Sequence, residues 1–322
     1  MHQPILTLAA ALAACSLTAT LSAQADQDAR TLRVFLLAGQ SNMEGQAVVD
    51  LDHEKHYNGG RGNLEKVLAD PQRGANYHHL RGEDGEWTTR DDVAIWYRAG
   101  GDRLKTGMLS IGYAVYDDPH HFGPELQFGH YLGEHFDAPV LLIKTCWGGK
   151  SLFKDFRPPS SGGETGPFYK KMIAEYREAI ETLPQHFPEL ADYRPELTGF
   201  VWFQGWNDMF DEQAREEYAD NLGNLIRDVR KELKAPNLPT VVGETGNAPN
   251  EEFRAAQAAG CKAPEFRKTV RFVPTRAFLR PAEDSPNTTH GHHWYGNAES
   301  YLLIGDAMGQ AMISLLDNNA DR

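Results

Sequence analysis

The residues best suited to covalent chemistry lie where apolar runs stop abruptly. Val34-Phe35-Leu36-Leu37-Ala38 is an unbroken apolar run of strand length, and it gives way to Gly39-Gln40-Ser41-Asn42-Met43. Such runs lie inside parallel sheets covered on both faces, and ligands of open α/β sheets bind beyond the carboxyl ends of the strands. Ser41, two residues past Gly39, can therefore point its hydroxyl into a crevice and offer its own backbone N–H to a developing oxyanion. A serine hydroxyl is a poor nucleophile near neutral pH and needs a base within hydrogen-bond reach. Candidates for that base lie far along the chain, in Thr289-His290-Gly291-His292-His293-Trp294-Tyr295. Two further strand ends carry suitable groups. The run 140–146 ends in Trp147-Gly148-Gly149-Lys150-Ser151, where consecutive glycines let the backbone approach a ligand and expose N–H groups. The run 199–205 ends in Gln204-Gly205-Trp206-Asn207-Asp208.

Each of these has a plainer reading. Ser41 fits a helix N-cap, Gly148-Gly149 a tight turn, Asn207 an Asx-turn or cap, and the histidines solvated or capping roles. A metal site is a rival reading of His290, His292 and His293, although no fourth ligand follows at helical or hairpin spacing.

Taken in order, these segments resemble the motif blocks of the SGNH (GDSL-like) hydrolases. They look closest to the branch of sialate O-acetylesterases and carbohydrate esterase family 6 acetylxylan esterases. The nucleophile of that branch lies in Gly-Gln-Ser-Asn-Met, here Gly39 to Met43. The resemblance implies an α/β fold, three-layer α/β/α and flavodoxin-like, around a parallel sheet of about five strands. It implies a serine esterase that removes O-acetyl groups from carbohydrate, either polysaccharide or sialic-acid-type, with no cofactor and no metal. Ser41 would be the nucleophile and His293 the base, with His292 the alternative. The oxyanion hole would comprise the N–H groups of Ser41 and Gly149 (Gly148 the fallback) and the side-chain amide of Asn207 or Gln204.

Two departures leave choices open. Gly205-Trp206-Asn207-Asp208 matches the Gly-x-Asn-Asp block of the superfamily, but the closer branch has Gln-Gly-Glu. This chain keeps Gln204-Gly205 and carries Trp206 in place of the glutamate. The family also has Asp three residues before its histidine, where this chain has His290. Asp284, Glu244 or a backbone carbonyl could orient the imidazole instead. That altered position keeps open a reading from another class, a non-catalytic carbohydrate-binding protein on the same fold.

The elements that must position these groups alternate along the chain. Strands are expected at 34–38, 140–146, 199–205, 240–244 and 270–275. Helical patterns separate them, at 168–187 with Pro184 near its end and at 211–234 with an apolar stripe of Tyr218, Leu222, Leu225, Ile226 and Val229. Alternation of this kind argues for a parallel sheet with helices on both faces. Gly123-Pro124-Glu125 opens another helix, and Glu125 suits its first turn or could reach the crevice. Residues 46–121 show weak periodicity and read as an irregular insertion walling the site, with 91–97 a short edge strand.

Composition bounds the remainder. The 322 residues carry a net charge of −13, which argues against nucleic acid or an anionic membrane surface as partner and suits an acetylated carbohydrate substrate. Residues 1–25 contain no Lys, Arg, Asp or Glu, are mostly apolar, and end in Ala23-Gln24-Ala25. They read as a signal peptide cut after Ala25, so the protein is expected to be periplasmic or secreted, with 26–322 as a single hydrolase domain. A lipid on Cys15 is the less favoured alternative and the one membrane anchor considered. Of the 3 cysteines, Cys146 and Cys261 lie in the expected mature chain, too few for a disulfide scaffold and enough for one bridge.

Overall fold

The structure is a computed structural model that describes residues 30–245 and 250–320. The expected signal peptide, its cleavage site and Cys15 lie outside the described residues. In chain order the elements are β1 (Thr31–Gly39), α1 (Ser41–Glu44), β2 (Ala47–Val48), α2 (Leu64–Ala69), β3 (Val93–Ala99), β4 (Arg103–Met108), β5 (His121–Phe122), α3 (Glu125–His135) and β6 (Val140–Cys146). There follow α4 (Pro167–Glu181), α5 (Leu183–His186), β7 (Arg194–Phe203), α6 (Glu212–Glu232), β8 (Thr240–Gly243), α7 (Glu251–Gly260), β9 (Val270–Val273) and α8 (Ala298–Ala320). Short 3-10 turns join several of them.

Seven strands form one sheet in the order β4-β3-β6-β1-β7-β8-β9, parallel throughout except for the edge pair β3/β4. The period of two along β1 explains the layers. Phe35 and Leu37 face a core shared with Leu126, Phe128 and Leu132 of α3 and Tyr301, Ile304 and Met308 of α8. Leu32, Val34, Leu36 and Ala38 face the other core, with Met172 and Ile173 of α4 and Leu222, Leu225 and Val229 of α6. Helices thus cover both faces, as the three-layer α/β/α reading requires.

The five expected strands are joined by two more, both from the segment expected to be irregular. The stretch 93–97 is not an edge strand: Val93, Ala94, Ile95, Trp96 and Tyr97 are all buried, and β3 pairs with β6 on one side and β4 on the other. Five consecutive apolar residues are the signature of an interior strand. The return strand β4 is polar and half-exposed, so it carried little signal of its own; it follows a tight turn with Gly101 at φ 70 and Asp102 at φ 59. The helix expected over 168–187 is instead two, α4 and the one-turn α5, which takes Pro184 within its first turn, where no intrahelical N–H bond is lost. Cys146 and Cys261 are buried free thiols.

One glycine is dictated by packing at the strand end that matters most. A Cβ on Gly39 would lie 2.2 Å from the Phe203 carbonyl oxygen, so only glycine lets β1 end this close to β7. The Gln40 N–H then donates to that same oxygen at 3.3 Å, which turns the chain out of the sheet at Ser41.

Candidate active site

Ser41 begins α1, after a Gln40 still in extended conformation. Its hydroxyl lies 3.0 Å from Nε2 of His293, across 252 positions of sequence. The sheet brings the two together because β1 occupies its centre and the loop before α8 crosses the same carboxyl edge. His293, and not His292, holds the hydrogen-bonding position.

The Gln40 side chain ties the neighbouring loop. Its Oε1 accepts the Gly205 N–H at 3.0 Å, and its Nε2 donates to Asn207 Oδ1 at 3.1 Å. That second bond fixes which way the Asn207 amide faces: its oxygen is taken, and its NH2 has no acceptor among the described residues. Gln204 is engaged differently. It is fully buried, and its NH2 donates to the Lys150 carbonyl at 2.9 Å and to Asp208 Oδ2 at 2.6 Å. Its Oε1 accepts from the Tyr218 hydroxyl at 3.1 Å. Gln204 therefore braces the loop, its amide engaged at both ends, whereas the Asn207 NH2 is not.

Asp208 completes the brace. Its carboxylate accepts the backbone N–H groups of Leu152 at 3.0 Å and Phe153 at 2.9 Å, pinning the loop after β6 to the loop after β7. Burial pushes its pKa up to about 6, against the hydrogen bonds from Gln204, Leu152 and Phe153 that favour the carboxylate.

The two glycines after β6 separate by their partners. The Gly148 N–H donates to the Glu44 carboxyl, whose pKa is itself raised by burial. Gly149 is exposed, sits at φ 71, and its N–H has no acceptor among the described residues. A Cβ built on Gly148 would lie 3.7 Å from Cβ of Ser41, so this loop borders the serine. The Ser41 N–H is likewise without an acceptor among the described residues. The N–H groups of Ser41 and Gly149 and the Asn207 NH2 are thus three donors without an acceptor among the described residues, on the loops that follow β1, β6 and β7.

The histidine loop is irregular. Trp294 and Tyr295 sit at φ 54 and 55, a left-handed region costly for large side chains. The carbonyl of His290 accepts from the N–H groups of His293 at 2.9 Å and Tyr295 at 3.1 Å. Two side chains hold the loop against the serine turn. Asn42 Nδ2 donates to the His292 carbonyl at 3.0 Å. The Tyr301 hydroxyl of α8 donates to Asn42 Oδ1 at 2.7 Å and also lies 3.4 Å from the His293 carbonyl. No local pattern in the sequence marks either role, since the partners lie some 250 positions apart.

No carboxylate reaches His293 among the described residues. Asp284 is exposed at its own turn, and the Glu244 carboxyl is taken up by an ion pair with Arg254 and by the N–H groups of Thr275 at 2.8 Å and Arg276 at 3.1 Å. Glu125 is no crevice group either. It is fully buried in an ion pair with Lys144 at 2.9 Å, and Lys144 in turn donates to the Glu44 carbonyl at 3.1 Å, beneath the serine turn. Burial drives the His293 pKa down to about 3, with the neighbouring His292 and His290 adding in the same direction. His292, whose ring lies 4.0 Å from that of His293, is also lowered by burial. The imidazole is therefore neutral over the ordinary pH range, with Nε2 facing the Ser41 hydroxyl. Among the described residues no group of three His, Cys, Asp or Glu side chains is arranged to hold a metal ion.

A histidine thus meets a serine at the carboxyl edge of a mostly parallel sheet. The chain belongs to the sialic acid-specific acetylesterase family of carbohydrate esterases, whose family model matches residues 31–314. It is an enzyme of the carboxylic ester hydrolase class and a carbohydrate esterase. It is similar to a probable carbohydrate esterase of Arabidopsis thaliana, 24% identical over 212 residues that make up 65% of this chain and 67% of that protein. The X-ray structure of that plant protein shares the fold at a TM-score of 0.58 and 17% identity, covering 88% of this chain and 98% of its own. A carbohydrate acetylesterase from Xanthomonas citri aligns at a TM-score of 0.48 and 16% identity, over 87% of this chain and 55% of that one.

Proposed function

We propose that this carbohydrate esterase removes O-acetyl groups from sugars through a Ser41–His293 pair. Ser41 Oγ attacks the acetyl carbonyl while His293 Nε2 takes its proton. The tetrahedral oxyanion is held by the N–H groups of Ser41 and Gly149 and by the Asn207 amide. His293 returns the proton to the departing sugar alkoxide, and water then repeats the sequence on the acetyl-enzyme. The observation that carries this reading is the 3.0 Å approach of His293 Nε2 to Ser41 Oγ. The substrate, an acetylated polysaccharide or sialic-acid-type sugar, and export after cleavage at Ala25 are parts of the same proposal.

The test is acetate release from O-acetylated xylo-oligosaccharides and O-acetylated N-acetylneuraminic acid. Wild type is expected to act on at least one of them, and Ser41→Ala to lose at least about 10³-fold in kcat, in line with the loss of a catalytic nucleophile. A Ser41→Ala protein with wild-type rates would refute the mechanism and return the chain to sugar binding or to another centre.

A further inference from the structure

A row of aromatic rings leads away from His293. The His292 ring lies 4.0 Å from it, the Trp206 ring 5.6 Å from His292, and the Phe210 ring 5.4 Å from Trp206. The row ends in open solvent. Phe210 is 67% exposed, and among the described residues Tyr116 is the one other large hydrophobic side chain counted as exposed. Its display is not a matter of slack backbone. Asp208–Phe210 is a 3-10 turn whose first residue is the buried carboxylate bound to Leu152 and Phe153, and whose exit residue Asp211 caps α6 through the Ala214 N–H at 2.9 Å. An apolar ring is thus held out into water on a pinned turn, two residues after the Asn207–Asp208 pair.

The chemistry of the site says which half of an ester would meet this row. The acyl carbonyl must lie among the N–H groups of Ser41, Gly149 and Asn207. The alkoxide must leave towards the proton on His293 Nε2. The alcohol half therefore projects past the histidine, where the rings begin. A pyranose presents a face of C–H bonds and a rim of hydroxyls, and that face packs against aromatic rings as other apolar surfaces do.

We propose that Trp206 and Phe210 form the platform on which the sugar ring of the ester stacks, so that they set the preference for glycosyl over simple alkyl acetates. The proposal rests on the sugar O-acetylesterase reading given above. Phe210 is the residue to test, because it is exposed and its loss removes no core packing, whereas Trp206 adjoins Asn207.

Phe210→Ala and Phe210→Trp are compared with wild type on three acetates: the better of the two acetylated sugars named above, ethyl acetate and cyclohexyl acetate. With Phe210→Ala the KM for the sugar is expected to rise roughly 3–10-fold while kcat is retained, as for the loss of one aromatic contact. The ratio of kcat/KM for the sugar to that for ethyl acetate should fall by the same factor, and Phe210→Trp should restore it. An unchanged ratio in Phe210→Ala overturns the proposal. So does a loss confined to cyclohexyl acetate, which would make the row a site for apolar alcohols. A wild-type enzyme that releases acetate from ethyl acetate but from neither sugar would overturn the substrate reading and the platform with it. A wild type active on sugar with an unchanged ratio in Phe210→Ala would overturn the platform alone.

Discussion

Ser41 and His293 meet at 3.0 Å, and they are held there by different means. The serine turn is an extension of the sheet. Gly39 is pressed against β7, Gln40 is bonded through both its backbone and its side chain, and Lys144 holds the Glu44 carbonyl from below. The histidine lies on an irregular 3-10 loop leading into α8, and the loop carries two adjacent large residues in left-handed conformation. Such residues cost of order 1–3 kcal/mol each and persist only where the surroundings fix them. Here the fixing contacts, from Asn42 and Tyr301, reach the carbonyls of His292 and His293 and not the imidazole. The loop is thus fastened through its backbone, while the His293 ring has Ser41 Oγ as its one hydrogen-bond partner among the described residues. With no carboxylate nearby, nothing opposes the fall of its pKa on burial.

Removing either partner is expected to have the largest effect. His293→Ala should lower kcat by at least about 10³-fold, as for Ser41→Ala, and the double variant should be little worse than either single one, because the two act as a unit. Additive losses in the double variant would show that they do not. Next in size is Asn207→Ala, expected to lower kcat roughly 10²–10³-fold with little change in KM, as for loss of one oxyanion donor. If the loss falls on KM and not on kcat, Asn207 binds the ground state and the donor assignment is wrong.

Tyr301→Phe sharpens the contrast between the two loops. It removes the hydroxyl that bonds Asn42 and leaves a buried amide oxygen unpaired, a cost of about 1–3 kcal/mol. If that cost falls on the placement of His293, kcat drops roughly 5–100-fold at nearly constant KM. A loss of thermal stability alone, with kcat intact, would make the contact structural. The smallest effects are expected where a carboxylate would matter. Asp284→Asn should leave kcat/KM within about twofold. Protonation removes the proposed base only as pH drops through the His293 pKa, lowered to about 3. Asp208, pushed up to about 6, also titrates between pH 7 and pH 5, so the profile is read in an Asp208→Asn variant. There kcat/KM should change by less than about twofold over that span, provided the protein stays folded, whereas an ordinary imidazole near 6.5 would lose most of its activity. An acid limb centred near 6.5 would show that an unrecognised group supports the imidazolium.

How much of this was legible in the sequence depended on whether the signal was local. The apolar runs of β1, β6, β7, β8 and β9 announced a parallel sheet, and Ser41 stood out because a strand ended two residues before it. Within 46–121, β4 is polar and half-exposed, so the fully apolar 93–97 reads as a lone edge without its partner. The different engagement of Asn207 and Gln204 depends on Gln40, Lys150 and Tyr218, residues that sequence spacing does not connect. Asn42 and Tyr301 stand 259 positions apart, and nothing in either local pattern pairs them. The lack of an acid is legible at His290; the contacts of Asn42 and Tyr301 that hold the loop's carbonyls are not.

The central claim is that Ser41 is an activated nucleophile and that His293 activates it. A fluorophosphonate reacts covalently only with a serine whose proton is being withdrawn, so labelling followed by peptide mass spectrometry reads the claim without any assumption about the sugar. The account predicts stoichiometric label on the peptide containing Ser41 in wild type, and none above background in a folded His293→Ala variant. Label on a different serine, or equal labelling of Ser41 with and without His293, would contradict it.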